Sequence, residues 1–583
     1  MSRAVANEER SHPTMNPAPS VLHDRYKWTA LFVVTLGMLM ATIDSSIVLI
    51  AMPAIFRGIG LDPLQPGNSF YLLWMILGFL VVTSVLVVSL GRLGDMYGRV
   101  RIYNSGFAIF TFFSALLSIT WMHGHAAGLW LIIMRLFQAL GAAMLMANSS
   151  AILTDAFPRH QRGLAMGVNQ AAAFSGTFIG LIVGGLLAPF DWHLVFLVSV
   201  PVGLLGTVWG YVALREQGER HRAHVDWLGN TTFAVGMVLI MVGITYGIEP
   251  YRNHTMGWTS PLVLGCIIVG VATMVAFVMI ERRVASPMFR IQLFRIRPFT
   301  AGVSASFLAA LSRGGLMFML VIWLQGIWLP LHGFSFERTP LWAGVSMVPL
   351  TVGMLLAGPI SGYLSDRFGA RPFATGGMLG TAVCFVLLET LPVNFHYWEF
   401  GILLFFTGMS MAAFGSPNRA GVMNALPSEH RGAGSGMNTT FQNSAQVFSI
   451  GLFFTLLIVG LSSSLSTNLY QGLVAHGAST SVASHASHLP PIATLFAAFL
   501  GDNPIQHLLG PAGLAQLSAA QQATLLGRNF FPTLIGASFR SGLHAALDFG
   551  IIASLFAAAA SWVRGAKVDD EVAAPVAVDI NVD

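Results

Sequence analysis

Long apolar runs recur along the whole chain, and they constrain its fold more than any other feature. A helix needs about 20 apolar residues to cross a bilayer core roughly 30 Å thick. Inside lipid each backbone amide must be satisfied within its own segment, so such runs form helices. We therefore predict an all-α membrane protein with fourteen membrane helices. Their expected ranges are 29–56, 70–91, 102–122, 127–151, 163–189, 192–214, 228–248, 261–281, 298–325, 341–363, 373–392, 397–417, 434–461 and 543–563.

Charged residues make up only 9% of the 583 residues, and the mean hydropathy is +0.69. A soluble chain of this length would split into domains that each need a charged surface, so the soluble class is excluded. The net charge of +5 has a topological explanation in a membrane protein, and we expect no nucleic-acid partner. Cys266 and Cys384 lie inside predicted membrane helices and give no disulfide framework or metal-ligand spacing. We expect no metal, no cofactor and no enzymatic activity, because the sequence also has no phosphate-binding loop.

Lys and Arg are distributed unevenly between the two ends of the predicted helices. They concentrate in the N-terminal tail, 1–27, and in the connections that follow even-numbered helices, and Arg564 and Lys567 follow the last helix, at the start of the C-terminal tail, 566–583. The positive-inside rule assigns such segments to the cytoplasm. We therefore predict a multi-pass protein with both termini cytoplasmic. The connections after odd-numbered helices hold only Arg57, Arg252, Arg338, Arg528 and Arg540.

Two charged stretches of the chain repeat one another. Residues 91–101 read GRLGDMYGRVR after the second predicted helix, and residues 362–372 read GYLSDRFGARP after the tenth. The shared frame divides the chain into two repeated halves of six helices, a recognised design of transporters with a central pathway. The frame matches at Gly91 and Gly362, Leu93 and Leu364, Asp95 and Asp366, and Gly98 and Gly369. The expected domains are an N-terminal bundle at 28–214, a linker with two extra helices at 215–285 and a C-terminal bundle at 286–565.

We predict that the repeated turn works as a latch at the cytoplasmic membrane edge. Glycine permits a tight turn and a close approach of helices. An aspartate here can accept hydrogen bonds from a neighbouring helix N-terminus, and arginines anchor the turn. The alternative is that these are ordinary charged residues of cytoplasmic loops, but charge bias alone rarely produces the same frame twice. The predicted gate residues are Gly91, Asp95, Gly98, Arg99, Arg101, Gly362, Asp366, Arg367 and Gly369.

Asp44 and Arg135 lie deep inside two predicted membrane helices. At about 1.5 Å per residue, Asp44 lies roughly 20–24 Å from the cytoplasmic edge, and Arg135 lies about 10 Å below the outer edge. Their depths coincide, so we expect an ion pair. Burial disfavours a charged carboxylate and a nearby guanidinium favours it, so substrate binding could tip the balance. We predict that Asp44 couples transport to protons, and the alternative is a permanent structural ion pair.

The fifth predicted helix carries a glycine pattern, GVNQAAAFSGTFIGLIVGG. The spacing places small residues along one face, where they allow tight helix packing. We expect this face to contact the opposite half of the protein. The glycines are Gly167, Gly176, Gly180, Gly184 and Gly185.

Arg313, midway along the ninth predicted helix, is a second cation deep in the membrane. Two explanations stand side by side: a place in the substrate or proton pathway, or an ion pair with an acid such as Asp548. Asp548 lies only about 8 Å from the outer end of its helix, so a structural role at the interface is an equal alternative for it.

The connection at 462–540 is long and has only three charged residues. Residues 490–501 and 511–527 have the pattern of short amphipathic helices bracketed by Pro and Gly. A structureless loop of this length would be unusual. We therefore predict a helical hairpin that packs on the outer face of the bundle or dips into the lipid headgroups.

The turn at 91–101 resembles the signature of the major facilitator superfamily, and fourteen spans resemble its drug:proton antiporter branch, the EmrB/QacA family. The resemblance covers roughly 28–565. It implies the major facilitator fold, a gate role for Asp95 and Asp366, proton coupling by Asp44, and proton transfer through Arg135 and Gln138. It also matches the glycines of the fifth helix to an antiporter motif. Further segments that resemble the family are MATIDSSIVLIAMPAI at 40–55, MRLFQALGAA at 134–143, DWLGN at 226–230, GWTSP at 257–261 and SPMFRIQLFR at 286–295.

Two residues depart from the family pattern. Ala139 stands where the family has Gly after the Gln, and Leu181 stands where it has Pro. The second change removes an expected bend in the fifth helix.

The resemblance implies a proton-coupled exporter of amphipathic hydrophobic compounds that works by alternating access in a bacterial inner membrane. Its partners would be small amphipathic substrates, protons and the lipid bilayer. Some members of the family hand substrate to a periplasmic adaptor, and the connection 462–540 could serve that purpose or gate the outer vestibule. The alternatives are export or import of one dedicated metabolite on the same fold, and a membrane scaffold that transports nothing.

Overall fold

The computed structural model describes residues 20–62, 65, 67–158, 161–217, 226–252, 256–284, 287, 289–426, 431–500, 505, 509 and 517–564. Within this part of the chain, fourteen helices are long and apolar enough to cross a membrane. The predicted all-α architecture is therefore confirmed. The first nine membrane helices are α1 (Ser20–Ile59), α2 (Asn68–Tyr97), α3 (Arg99–Ser118), α4 (Gly124–Ala156), α5 (Arg162–Leu187), α6 (His193–Ala213), α7 (Trp227–Gly247), α8 (Pro261–Glu281) and α9 (Arg297–Leu331).

Two of the remaining membrane helices differ from the predicted ranges. The tenth is interrupted, and the last begins at Phe530 instead of residue 543. Helix α10 is built from two segments, Thr339–Ser346 and Val348–Phe368, followed by α11 (Ala370–Thr390), α12 (Tyr397–Asn424) and α13 (Arg431–Ser462). Four shorter helices follow, α14 (Leu465–Ala475), α15 (Thr480–Ser487), α16 (Pro491–Leu500) and α17 (Ala519–Leu525), before the last membrane helix, α18 (Phe530–Val563).

The prediction ended the twelfth helix at residue 417, but α12 continues to Asn424. The apolar run does stop at residue 417, yet Asn418 keeps the helix packed because its side chain donates to the carbonyl of Gly302 and to Ser306 on α9, at 3.1 and 2.7 Å. The helix therefore carries polar residues, including Arg419, that a hydropathy boundary assigns to a loop.

The membrane helices pack as two groups. Helices α1 to α6 contact one another, with α5 against α1 and α4 against both α2 and α3. Helices α9 to α13 and α18 form the second group, with α10 against α12, and α9 between α13 and α18. Helices α7 and α8 pack on each other, and α7 also contacts α2 and α13. The inserted pair therefore lies against one helix of each group.

The two repeated turns have the same backbone geometry. Gly98 separates α2 from α3 with a φ of 114°, and Gly369 separates α10 from α11 with a φ of 84°. Residues with a Cβ rarely adopt positive φ, so the glycine at the end of each frame has a conformational reason. We call the end of the bundle that carries these two glycines the turn end, and the opposite end, which carries α14 to α17, the loop end.

The prediction for 462–540 was right about helices and wrong about the position of the first of them, 490–501. The segment 490–501 forms α16, but α16 does not pack on the outside of the bundle, because all ten of its residues are buried. It contacts α1 and α2 of the first group and α9 and α13 of the second. Of the segment 511–527, residues 511–516 lie outside the described part, and α17 covers Ala519–Leu525.

Helix α16 is a wedge between the two groups at the loop end. Phe496 stacks on Phe454 of α13 with ring centroids 5.2 Å apart. A Cβ placed on Gly326 of α9 would lie 3.4 Å from the backbone of Ala498. Burial of a wholly apolar helix is favourable between two apolar bundles, whereas a surface hairpin would expose half of it to water. The helix thus closes the space between the groups at this end.

Candidate functional site

Asp44 and Arg135 form an ion pair inside the first group of helices, as the depth estimate predicted. The Arg135 Nη1 donates to the Asp44 Oδ2 at 2.6 Å. Gln138, one turn further along α4, donates through Nε2 to the Asp44 Oδ1 at 2.8 Å. Both carboxylate oxygens therefore have a donor, and all three residues are at most 1% exposed.

A second layer of contacts holds these donors in place. The Gln138 Nε2 also donates to Ser114 of α3 at 2.8 Å, and the Arg135 Nε donates to the carbonyl of Met75 on α2 at 3.3 Å. The Arg135 guanidinium lies over the ring of Phe79, 4.7 Å from its centroid. Four helices of one group thus enclose a single carboxylate. No water can reach this carboxylate without a movement of the surrounding helices.

The repeated turn after α2 is held by an acid–base cluster. The Arg99 guanidinium binds Asp95 at 2.8 Å and Asp155, near the end of α4, at 2.7 Å. The first backbone amides of α3 are capped by Glu216 rather than by Asp95: the amides of Arg99 and Val100 donate to its carboxylate at 3.0 and 3.1 Å. The expectation that the repeated aspartate caps a helix is therefore wrong here, because Glu216 already occupies the helix N-terminus.

The other predicted gate residues contribute unequally. Arg101 is exposed, and Arg367 is exposed and stacks on Tyr363. The Asp366 side chain lies outside the described part. A Cβ on Gly91 would meet Ala147 at 3.9 Å, and one on Gly362 would meet Ser416 at 3.8 Å. These are ordinary contact distances, so the first glycine of the frame is not required for close packing.

The partners of the Asp95 and Arg99 side chains all belong to the first group of helices. The cluster therefore ties α2, α3 and α4 together and does not itself bridge the two groups. The neighbouring Arg92 donates to the carbonyl of Pro287, in the connection between α8 and α9. In this conformation the turn is an internal brace of the first group, and a latch between the two groups stays a prediction.

Three glycines of α5 pack against α1, not against the opposite group as predicted. A Cβ on Gly176, Gly180 or Gly184 would lie within 2.5–2.9 Å of the carbonyl of Leu39, Ile43 or Ile47, respectively. The spacing of four residues places these glycines on one face of α5, and that face meets the part of α1 that carries Asp44. The glycine face therefore brings α5 close to the helix that holds the buried acid.

Gly185 and Gly167 lie on the face of α5 that is turned towards the second group. They are separated by 18 residues, about five turns at 3.6 residues per turn. At the loop end, Gly185 is pressed against Leu341 of α10, whose amide nitrogen would lie 2.5 Å from an added Cβ. At the turn end, nothing lies within 4 Å of a Cβ on Gly167. The two groups therefore press together beside Gly185 and leave a space beside Gly167, the crevice, while α2 and α13 still touch at Val88 and Gly436.

Closure of the loop end involves both groups directly. Besides Gly185 and α16, Gln325 of α9 donates to the carbonyl of Ile50 on α1 at 3.4 Å. Gln325 lies in a π-helical stretch, Leu324–Trp328, and its Oε1 is buried without a hydrogen-bond partner. The sequence pattern of an apolar span gives no sign of this local π-helix.

The expected pair between Arg313 and Asp548 does not form. Asp548 is exposed on α18, on the same side of the helix as Ile552 and Leu555. Arg313 lies on α9, where the charge of Arg419 on α12 acts on it. Arg419 in turn donates to the Gln170 Oε1 on α5, across the crevice. Sequence reasoning missed Arg419 because it placed that residue in a loop.

A family model for the Major Facilitator Superfamily matches the chain over residues 34–314 and 282–450. Among solved structures, a bacterial homologue of the human lysosomal transporter Spinster, crystallised in an inward-facing conformation, superposes with a TM-score of 0.55 at 16% identity. That alignment covers 92% of this chain and 97% of the homologue. The fold predicted from the sequence is therefore confirmed.

Several curated relatives carry names that refer to export or resistance. The tetracenomycin C resistance and export protein of Streptomyces glaucescens is 27% identical over 550 residues, 93% of each chain. The methyl viologen resistance protein of Salmonella typhimurium is 29% identical over 75% of this chain and 84% of its own. A riboflavin transporter of Clostridioides difficile is 26% identical over 74% and 88%, respectively. The chain belongs to the Major Facilitator Superfamily and is a multi-pass membrane transporter, consistent with the drug:proton antiporter branch.

Proposed function

We propose that this protein is a proton-coupled exporter of amphipathic hydrophobic compounds that works by alternating access. The observation that carries the proposal is the Asp44 carboxylate, fully buried in the membrane and held by Arg135 at 2.6 Å. An ionised pair at this depth is costly to bury, and such residues mark ion pathways in membrane proteins. A permanent structural tie could be replaced by apolar packing at no loss, so a pair that must open and close is the better explanation.

The coupling step follows from the geometry of the pair. While Arg135 and Gln138 donate to Asp44, the carboxylate is kept ionised and sealed from water. When the two groups of helices move, a shift of α1 against α4 within the first group separates the donors from the carboxylate. Asp44 then takes up a proton on one side of the membrane and releases it when Arg135 returns. Each proton that crosses contributes about 2.3 kcal/mol per 100 mV of membrane potential.

The positive-inside distribution supports a cytoplasmic turn end and cytoplasmic termini in a bacterial inner membrane. In that orientation the crevice beside Gly167 opens to the cytoplasm, and α16 closes the periplasmic end. We propose that α16 acts as the periplasmic gate. Docking of a periplasmic adaptor on the loop end is a second role open to the same segment.

A drug-sensitivity and efflux panel in a host that lacks its own pumps tests this function. Cells with the wild-type protein should tolerate amphipathic drugs and lose a fluorescent substrate when energised. Cells with Asp44→Asn should do neither at equal membrane abundance. Energised efflux by the Asp44→Asn variant at the wild-type rate would show that Asp44 does not couple transport to protons.

The riboflavin transporter among the relatives favours one alternative function, the transport of a single dedicated metabolite. The direction of transport and the number of compounds transported distinguish this function from multidrug export. In vesicles with an imposed pH gradient, an exporter of several unrelated compounds exchanges each of them against protons. A dedicated transporter moves one compound and ignores the rest.

A further inference from the structure

Arg419 lies in the crevice between the two groups of helices. It is on α12, about 140° around the helix from the exposed Phe406 at 100° per residue. Its guanidinium reaches Gln170 on α5 of the opposite group. One turn away on α12, a Cβ on Gly415 would have no atom within 4 Å. Arg419 is exposed, so its guanidinium is accessible to a ligand that enters the crevice.

Arg313 lies on the neighbouring helix, α9, which packs against α12. It is half-buried on α9, and the charge that acts on it is that of Arg419. Arg313 forms no hydrogen bond or ion pair with any residue that the structure describes, and Arg419 has only the neutral amide of Gln170. The two guanidinium groups are therefore near one another, and no acid among the residues that the structure describes pairs with either of them.

The described acids inside the membrane leave this charge uncompensated. Asp44 is already paired with Arg135, and Asp548 lies on the exposed face of α18. Two like charges near one another repel, and unbalanced cations inside a membrane are costly unless a function retains them. Guanidinium groups bind carboxylate, sulfonate and phosphate oxygens through paired hydrogen bonds.

We propose that Arg313 and Arg419 recognise an anionic group on the transported substrate, so that the preferred substrates are amphipathic anions rather than cations. The inference rests on the proposed transport function and defines its substrate class. The acidic head of the substrate binds between the two guanidinium groups and replaces Gln170 at Arg419. Its apolar body lies along the apolar walls of the crevice. The bound anion relieves the repulsion between the two arginines, and this relief favours binding.

The test compares two fluorescent probes that share one apolar frame, 8-anilinonaphthalene-1-sulfonate and the neutral N-phenyl-1-naphthylamine. Binding is titrated to the purified protein in phosphatidylcholine nanodiscs, with empty nanodiscs as the blank and no pH gradient. We expect saturable binding of the sulfonate that weakens about tenfold or more in Arg313→Gln and in Arg419→Gln. Binding of the neutral probe should stay the same in both variants, which also shows that they are folded.

Two further variants sharpen the test. Arg338→Gln removes an exposed arginine at the loop end and should leave sulfonate binding unchanged. Arg419→Lys keeps the charge and should retain more sulfonate binding than Arg419→Gln does. Nanodiscs that contain phosphatidylglycerol distinguish a lipid headgroup from a soluble substrate as the source of the anion, since a headgroup that enters the crevice competes with the sulfonate.

The inference is overturned if the sulfonate binds no tighter than the neutral probe, or if Arg313→Gln and Arg419→Gln leave its affinity unchanged. Because no proton gradient is present, this outcome is independent of the coupling role of Asp44. Loss of coupled efflux in Asp44→Asn with unselective probe binding would keep the proposed function and reject the substrate class.

Discussion

The Arg135 guanidinium donates to the Asp44 carboxylate at 2.6 Å, and neither side chain is exposed by more than 2%. The pair joins α4 to α1 within one group of helices. Gln138 donates to the second carboxylate oxygen at 2.8 Å, so both oxygens of the acid are hydrogen-bonded in this conformation. The consequences for stability and for transport can be measured separately.

Removal of one partner of this pair should be more harmful than removal of both. Arg135→Met leaves a buried carboxylate without its cation, which typically costs about 3–5 kcal/mol of stability. The double variant Asp44→Asn with Arg135→Met removes both charges and should recover part of that loss. Thermal unfolding of the purified proteins in detergent measures the effect. A loss in the double variant equal to the sum of the losses in Arg135→Met and in Asp44→Asn would show that the two residues do not interact.

The brace at the turn end should matter more for transport than for stability. Arg99 binds Asp95 and Asp155, but its side chain is 22% exposed, and exposed ion pairs typically contribute about 0–1 kcal/mol. We expect Arg99→Ala to reduce transport with little change in the melting temperature. Arg101 lies two residues away and is exposed, so Arg101→Ala is the matched control and should transport normally. A similar loss in both variants would indicate a general effect of positive charge at this end.

The repeated frame contains two kinds of glycine, and alanine substitutions should separate them. Gly98 and Gly369 have φ of 114° and 84°, which costs an alanine roughly 1–2 kcal/mol. Gly91 and Gly362 lie inside helices where a Cβ has ordinary contacts, and alanine there should gain about 1 kcal/mol from its helix propensity. Melting temperatures should therefore fall for Gly98→Ala and Gly369→Ala and stay level or rise for the other two. The reverse order would contradict the turn geometry.

The wedge α16 must leave its position if the loop end opens during transport. Cysteines at Gly326 and Ala498, introduced into a variant without Cys266 and Cys384, lie on facing backbones of α9 and α16. A short bifunctional thiol reagent should join them and stop transport.

The matched control for this cross-link lies within one group of helices. The Ser464 and Ser538 hydroxyls are 2.9 Å apart between the segment after α13 and α18. A cross-link between cysteines at these two positions should leave transport intact. Normal transport with α16 fixed to α9 would show that this helix does not gate the loop end.

The sequence predicted features that depend on local patterns or on depth in the membrane. Apolar runs placed all fourteen membrane helices, and counting residues from the membrane edges paired Asp44 with Arg135. It did not predict features that depend on which faces meet. The partners of Arg99 and the cap by Glu216 come from distant helices. The glycine face of α5 was assigned to the wrong neighbour, because a small-residue stripe indicates close packing without indicating against what.

The position of the segment Pro491–Leu500 and the end of the twelfth helix were both predicted wrongly, because both predictions rested on hydropathy. The apolar segment at Pro491–Leu500 has the same composition whether it lies in lipid headgroups or between two helix bundles, so its burial could not be read from composition. Arg419 follows a polar stretch that ends the apolar run, and only the contacts of Asn418 with α9 show that α12 continues. Of the two arginines Arg313 and Arg419, the sequence therefore indicated only Arg313.

Proton movement in proteoliposomes tests the central claim most directly. Wild-type protein, Asp44→Asn and Asp44→Glu are reconstituted with a pH-sensitive dye inside, and a substrate identified in the efflux panel is added on one side. The account predicts substrate-dependent proton flux for the wild type, a reduced but measurable flux for Asp44→Glu, and none for Asp44→Asn, although that variant still binds substrate. Substrate-dependent proton flux at the wild-type rate in Asp44→Asn would contradict the account.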